Sequence, residues 1–188
     1  MVSWSPDGSR IVTDDISGTT AHIWDAATGE ELLSLRGHNQ WACALALSPD
    51  SSRVATGSHD DTVRVWDAAT GQTQLVLGAG NSVETVSWSP DGTRLSIGAK
   101  IGGNRVWDAA TGQPRLTVDN GARELSEVVW SPDGTRLATS SYLSPRVLIL
   151  DASTGDVVQA LTAGEDDVND IAWSPDSERI LTGLGDDR

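Results

Sequence analysis

Histidine, serine and aspartate are the residue types of a hydrolase triad, and His38, Ser58 and Asp60 supply one of each. A triad is recognised by its geometry, so residue types alone do not establish one. The Gly-x-Ser-x-Gly turn that exposes the nucleophile in many hydrolases does not occur in this sequence. We therefore predict no catalytic residue and do not expect an enzyme.

The sequence also lacks the patterns of metal and cofactor sites. Its three histidines are scattered and have no cysteine at the spacing of a zinc site. Its acidic pairs fall on separate predicted turns, so they do not converge on one cation. No Walker-type glycine loop for phosphate is present. We expect neither a metal nor a cofactor.

The composition is strongly acidic. The chain has 27 Asp and Glu against 13 Lys and Arg, a formal net charge of −14. Nucleic acids and anionic membranes attract basic patches, so neither is expected as a partner. A protein or peptide partner fits better, and the acidic composition would suit a basic one. No apolar run is long enough to span a membrane, and no signal peptide is visible, so a cytoplasmic location is predicted.

The elements that would position any site come from an internal repeat. Two motifs alternate along the chain, and each recurs every 41 to 43 residues. The first is Trp-Ser-Pro-Asp-Gly or a variant, starting at Trp4, Leu47, Trp88, Trp130 and Trp173. The second is Trp-Asp-Ala-Ala-Thr-Gly or a variant, starting at Trp24, Trp66, Trp107 and Leu150. Two independent motifs that keep one period indicate a repeated structural unit.

Each repeat reads as four short β-strands joined by tight turns. Pro, Asp and Gly in the first motif favour a turn, and the second motif ends in Gly by the same logic. A lone four-stranded sheet leaves two apolar faces uncovered, and stacking such sheets around an axis covers them. We therefore predict an all-β propeller with essentially no helix, about eighteen strands and about four and a half blades.

The period, the Trp-Asp ends of the third strands and the pair Gly37-His38 make this chain resemble the WD-repeat β-propeller family. In that family a His, a Ser, an Asp and a Trp form a structural hydrogen-bonded set in each blade. The resemblance places this set at His38, Ser58, Asp60 and Trp66, with the histidine bridging the serine and the tryptophan. Blade three keeps only Trp107 of the set and blade four has Leu150 for the Trp, so these blades should be less rigid.

The resemblance assigns residues 1–188 to one domain. Its predicted blades are 1–37, 38–78, 79–118 and 119–162, with a partial fifth at 163–188. Such an open arc exposes two sheet faces meant for burial. Three explanations remain: a fragment of a longer protein, which we prefer, self-association through the terminal blades, or an arc that aggregates.

Protein partners would bind the loops that differ between repeats, which strand alternation places on the rim opposite the two motifs. Tryptophan, tyrosine and arginine supply most interface hot spots. The candidate contact residues on these loops are Trp41, His59, Lys100, Arg123 and Tyr142. Glu84, Glu127 and Asp170 begin inner strands near the axis, where they would form an acidic mouth for a basic or amine-bearing segment.

Together these features predict a protein-interaction scaffold or sensor. An envelope propeller of the TolB-like kind is an alternative, because it carries similar Trp-Ser-Pro-Asp-Gly turns, but three Trp-Asp strand ends and the Gly-His pair disfavour it. A propeller enzyme with a funnel active site is the third reading, and it would need convergent ligands at the axis that the sequence does not show.

Overall fold

The computed structural model describes residues 1–15, 18–100, 104–118, 125–141, 144–164 and 166–185. These ranges contain eighteen β-strands and no helix, which confirms the predicted all-β fold. The strands are β1 Val2–Trp4, β2 Arg10–Asp14, β3 Thr20–Asp25, β4 Glu31–Arg36, β5 Ala42–Leu47, β6 Arg53–Ser58, β7 Thr62–Asp67, β8 Thr73–Gly78, β9 Val83–Trp88, β10 Arg94–Ala99, β11 Asn104–Asp108, β12 Pro114–Val118, β13 Leu125–Trp130, β14 Arg136–Ser141, β15 Arg146–Asp151, β16 Val157–Thr162, β17 Val168–Trp173 and β18 Ile180–Leu184.

Consecutive strands pair in antiparallel sheets. Blades one to four are β1–β4, β5–β8, β9–β12 and β13–β16, each in chain order, and blade five contains β17 and β18. The architecture is an open propeller of about four and a half blades, as predicted. The innermost strand of blade one has only three residues, against six in β5, β9, β13 and β17. The residue boundaries proposed for the blades stay predictions.

The Trp-Ser-Pro-Asp-Gly turn is closed by its own side chains. In blade three, the Ser89 hydroxyl donates to Asp91 Oδ1 at 2.5 Å and accepts the N–H of Arg94 at 2.9 Å. Asp91 also accepts the N–H of Thr93 at 3.0 Å, and Gly92 takes a left-handed φ of 67°. The hydrogen bond from Ser89 is the main cause of a lowered pKa at Asp91. The same serine–aspartate pair closes the turn in every blade.

The hydrophobic cores lie between blades. One core joins Val65 and Leu77 of blade two to Leu95 and Trp107 of blade three. Another joins Val12 and Ile23 of blade one to residues of blade two, and two more connect blades three, four and five. Adjacent sheets therefore bury the faces that lie between them, which is why the repeats must stack to be stable.

Gly57 lies where blades two and three approach each other closely. A Cβ atom on this residue of β6 would lie 2.4 Å from Val83 Cγ1 in blade three and 3.1 Å from Ala44 Cβ. Because Val83 is fully buried, it has little room to move away. The packing of blade two against blade three therefore requires glycine at this position.

We expect Gly57→Ala to destabilise the protein by about 1–3 kcal/mol, because it overpacks a buried junction. Gly78→Ala is the matched control, since Gly78 also lies in a strand but nothing approaches its missing Cβ within 4 Å. The free energy of unfolding in urea would be measured for both variants. Equal effects of the two substitutions would contradict this account of the junction.

Candidate functional site

A buried polar set ties the outer loop of blade two to its core. His38 Nδ1 lies 2.9 Å from Asp60 Oδ2, and its Nε2 lies 2.8 Å from Thr56 Oγ1. The indole N–H of Trp66 donates to the same Thr56 hydroxyl at 2.8 Å. Burial works against the charge on Asp60, but hydrogen bonds led by Thr62 and His38 outweigh it, so the pKa of Asp60 is lowered. Every member of the set is satisfied, as a buried polar network requires.

The hydroxyl in this set is Thr56, where the sequence prediction placed Ser58. Thr56 and Ser58 face the same side of β6, but Trp66 pairs with Val54, so its indole reaches only the next residue on that face. Ser58 lies one step further along and donates to the carbonyl of Gln40 at 3.1 Å while accepting the N–H of Asp60. The prediction of a histidine that bridges Ser58 and Trp66 is therefore wrong, and Thr56 is the bridge.

The order Asp60–His38–Thr56 has the connectivity of an orienting acid, a base and a nucleophile, yet the geometry supports a structural role. If Asp60 accepts the Nδ1 proton, Nε2 is an acceptor and Thr56 donates to it. The Thr56 hydroxyl already accepts the Trp66 N–H, and Thr56 and His38 are only 1% and 6% exposed. A substrate cannot approach this hydroxyl in the folded chain.

Blade three shows what the loss of this set leaves behind. Trp107 is the equivalent of Trp66, but Ile97 stands ten residues before it, where Thr56 stands in blade two. The buried indole nitrogen of Trp107 has no hydrogen-bond partner among the described residues. An unpaired buried N–H costs about 1–3 kcal/mol, so blade three lacks a stabilising contact that blade two has. That blade three is less rigid remains a prediction.

Two of the predicted contact residues meet on the rim of blade two. The rings of Trp41 and His59 lie edge to face with centroids 5.5 Å apart, and the His59 N–H donates to the Trp41 carbonyl at 2.9 Å. Trp41 remains 49% exposed. Lys100, also exposed, is the equivalent of His59 in blade three, and its backbone N–H donates to the Ser82 carbonyl. Arg123 and Tyr142 lie outside the described residues.

The three acidic residues predicted at the axis do not occupy equivalent positions. Glu127 and Asp170 pair with Ser140 and Gly183 in their sheets, whereas Glu84 is the unpaired residue of a β-bulge. The Glu127 carboxylate accepts the N–H of Ile171 in the next blade at 2.6 Å. Burial, helped by the charge of Asp170, raises the pKa of Glu127 to about 7 despite this hydrogen bond.

Glu84 lies instead in the surroundings of Cys43. The Cys43 thiol donates to the Val83 carbonyl at 2.9 Å. Burial and the charge of Glu84 raise the pKa of this thiol to about 11, so it is not a reactive thiolate at neutral pH. Elsewhere in the described ranges, no group of three His, Cys, Asp or Glu side chains is placed to hold a metal ion. The described residues also include no helix able to cross a bilayer.

Sequence reasoning missed an arginine–tryptophan contact that joins successive blades, here named the inter-blade clasp. The Arg53 guanidinium of blade two lies 4.6 Å from the ring centroid of Trp88 in blade three and donates to the Gly92 and Ala109 carbonyls. In the next junction, the Arg94 guanidinium lies 4.5 Å from the ring centroid of Trp130 and donates to two carbonyls of blade four. Its signal was present in the sequence, because an arginine follows the first residue of the first motif by six positions in every repeat.

Two stretches of the chain match described families. Residues 29–67 match the family described as WD domain, G-beta repeat, and residues 101–176 match the anaphase-promoting complex subunit 4 WD40 domain. An uncharacterized WD repeat-containing protein of Nostoc is 52% identical over 40 residues, 21% of this chain. Actin-interacting protein 1 of Drosophila melanogaster is 30% identical over 81 residues, 43% of this chain. The matches cover 3% and 13% of those two relatives.

Solved structures agree on the fold over nearly the whole chain. The β-propeller domain of Cps50 (Swd1) from Myceliophteria thermophila superposes with a TM-score of 0.87 at 16% identity, covering 97% of this chain and 61% of that one. The computationally designed Ika8 protein gives 0.84 at 23% identity, covering 97% and 54%. At these identities the likeness concerns the fold alone. The chain spans little more than half the length of either structure.

We expect Thr56→Val to lower the free energy of unfolding by about 1–3 kcal/mol, since it leaves buried nitrogens of His38 and Trp66 without a partner. Thr139→Val is the matched control, because the buried Thr139 hydroxyl has no hydrogen-bond partner in the described structure. The Thr139→Val substitution should leave the free energy of unfolding unchanged or raise it. Urea unfolding of both variants tests the difference, and an unaffected Thr56→Val protein would contradict the bridging role.

Proposed function

Because this chain belongs to the WD-repeat β-propeller family, we propose that it is a protein-interaction module whose variable rim binds a protein partner. The observation that carries the proposal is the Trp41–His59 pair, a half-exposed indole held in place by a ring contact and a backbone hydrogen bond. A large aromatic side chain that is both exposed and fixed loses little conformational entropy on binding. Such residues are the usual anchors of interfaces.

The neighbouring blade extends this surface. Lys100 lies on the same rim, one blade along from His59, and the exposed ammonium adds a charge beside the aromatic pair. A partner that places an acidic side chain near Lys100 and an apolar one on Trp41 would satisfy both. Arg123 and Tyr142 stay part of the proposal as candidate contacts in blade four.

The acidic residues near the axis support a second element of the proposal, a preference for basic or amine-bearing segments. Glu127 and Asp170 lie close enough for the charge of one to raise the pKa of the other. A cation placed between them would relieve that repulsion. We include Glu84 as a third contributor, although its charge acts on the thiol of Cys43.

A cytoplasmic location belongs to the proposal as well. An enzymatic role finds no support in the polar set of blade two, because the Thr56 hydroxyl is buried and its hydrogen bonds are used within the blade.

Trp41→Ala combined with His59→Ala should abolish capture of a protein partner while the fold is retained, because the pair is on the surface. Gln72→Ala on the opposite rim is the control and should leave capture unchanged. Partner binding would be measured by pull-down with the purified chain as bait, and circular dichroism would check the fold. Retained capture by the double variant would remove the rim from the proposal.

The pKa of Glu127 predicts how the acidic mouth responds to pH. Affinity for an oligolysine peptide should rise between about pH 6 and pH 8 as this carboxyl ionises. Glu127→Gln should flatten the rise and weaken binding at the higher pH. Fluorescence anisotropy of a labelled peptide gives the measurement at fixed ionic strength. Charge reversal at Glu84, Glu127 and Asp170 without loss of binding would exclude the mouth.

The raised pKa of Glu127 also makes the free energy of unfolding depend on pH. A carboxyl whose pKa is higher in the folded chain than its ordinary 4.5 binds more protons folded than unfolded across the interval between the two values. Its contribution to stability is therefore complete below about pH 4.5 and is lost as the pH rises through about 7. Glu127→Gln should remove this part of the pH dependence in urea unfolding curves, and an unchanged curve would contradict the burial of the carboxyl.

A further inference from the structure

The inter-blade clasp has two halves, and the junctions between blades two and three, three and four, and four and five use both. Between blades one and two, Leu47 stands in place of the tryptophan, and Arg10 donates to the Ala68 carbonyl. The arginine that opens the second strand of one blade covers the tryptophan that ends the first strand of the next. That tryptophan donates its indole N–H back to the preceding blade, from Trp88 to the Ala46 carbonyl, from Trp130 to Ser87 and from Trp173 to Val129. The clasp is thus directional, with its arginine always on the blade that comes earlier.

The two outer faces of the arc carry one half of the clasp each. On blade one, Trp4 is 59% exposed, whereas Trp88 and Trp130 are 7% exposed at the same position of their blades. On blade five, the side chain of Arg179 is 79% exposed, against 34% for Arg136, its equivalent in blade four. The Arg179 guanidinium pairs with Asp176 of its own turn at 3.5 Å, an exposed ion pair of little energetic value.

The face of blade five also offers space for an indole. A hollow of about 310 Å³ is lined by Ala172, Trp173, Ser174, Arg179, Ile180 and Leu181. Ala172 precedes Trp173 in the same way that Ala46, Ser87 and Val129 precede the ends of their strands, so its carbonyl is the equivalent acceptor. Leu181 replaces the small Ala55, Ser96 and Ala138 of blades two to four and is 73% exposed, which makes this hollow more apolar.

The face of blade one is open at the matching points. Gly92 and Gly134 each lie against a proline and an arginine of the preceding blade, but nothing lies within 4 Å of a Cβ built on Gly8, their equivalent. In the internal junctions, the arginine donates to the carbonyls of Gly92 and Ala109, or of Gly134 and Ala152. The repeat makes Gly8 and Ala26 the corresponding carbonyls of blade one.

From this complementarity we infer that blade five is a docking surface for blade one of a second copy of this chain. Trp4 of one copy enters the hollow on the other copy, with its N–H on the Ala172 carbonyl. Arg179 covers the indole and donates to the carbonyls of Gly8 and Ala26. The contact joins two different surfaces, so it is a heterologous, head-to-tail interface that leaves one free face of each kind. It involves neither the variable rim nor the acidic mouth and is independent of the function proposed above.

Sedimentation velocity of the 188-residue chain over a range of concentrations tests the interface. We expect the mass to increase with concentration, and Trp4→Ala or Arg179→Ala each to weaken self-association at least about tenfold, since each removes one half of the clasp. Trp41→Ala and Arg115→Ala remove an exposed tryptophan and an exposed arginine elsewhere and should leave self-association unchanged. Circular dichroism of all four variants checks that they fold.

A mixture of the two clasp variants gives the sharpest test. The Trp4→Ala copy still has Arg179, and the Arg179→Ala copy still has Trp4, so equal amounts of both should form a dimer and nothing larger. Arg179→Glu should behave as Arg179→Ala does. A monomeric wild-type chain at all concentrations, association that survives both single variants, or a mixture that stays monomeric would each overturn the inference.

Discussion

Every blade of this protein depends on a surface that it does not itself provide. The hydrophobic cores lie between sheets, so Leu95 and Trp107 of blade three are buried by Val65 and Leu77 of blade two. The free energy of burying apolar area is therefore shared between neighbours, and a single blade would leave both faces in water. The polar contacts follow the same rule, since the clasp of Arg53 takes its arginine from blade two and its tryptophan and carbonyls from blade three.

This dependence explains why the repeat could be predicted in such detail. Turn closure is local: Ser89, Asp91 and Gly92 satisfy one another within a few residues, and the same types recur in every motif. The number and order of strands follow from those turns. The site within blade two was less accessible to sequence reasoning, because Thr56 and Ser58 are both hydroxyl residues on one face of one strand. Only the register, with Trp66 opposite Val54, decides which hydroxyl the indole reaches.

Two other differences between sequence and structure have the same origin. Glu84 precedes Trp88 by four residues, whereas Glu127 and Asp170 precede their tryptophans by three, and a bulge makes that single residue decisive. The spacing was visible, but its consequence depends on how the bulge shifts the pairing. The arginine of the clasp also recurs at a fixed position of every repeat, but the arginine and the tryptophan that it contacts belong to different repeats. Their meeting depends on how blades stack, which the pattern within one repeat does not specify.

The distribution of these contacts bears on where function resides. On the rim formed by the two motifs, serines and aspartates close turns, and Arg53 and Arg94 hold the next blade, so substitution there disturbs the scaffold. On the opposite rim, Trp41 and Lys100 are exposed, and the equivalent positions hold different residue types from blade to blade. A surface can change its partner only where its side chains are not already committed to the fold. In this chain that freedom belongs to the variable rim, while the motif rim supplies the rigidity that keeps Trp41 and its neighbours in place.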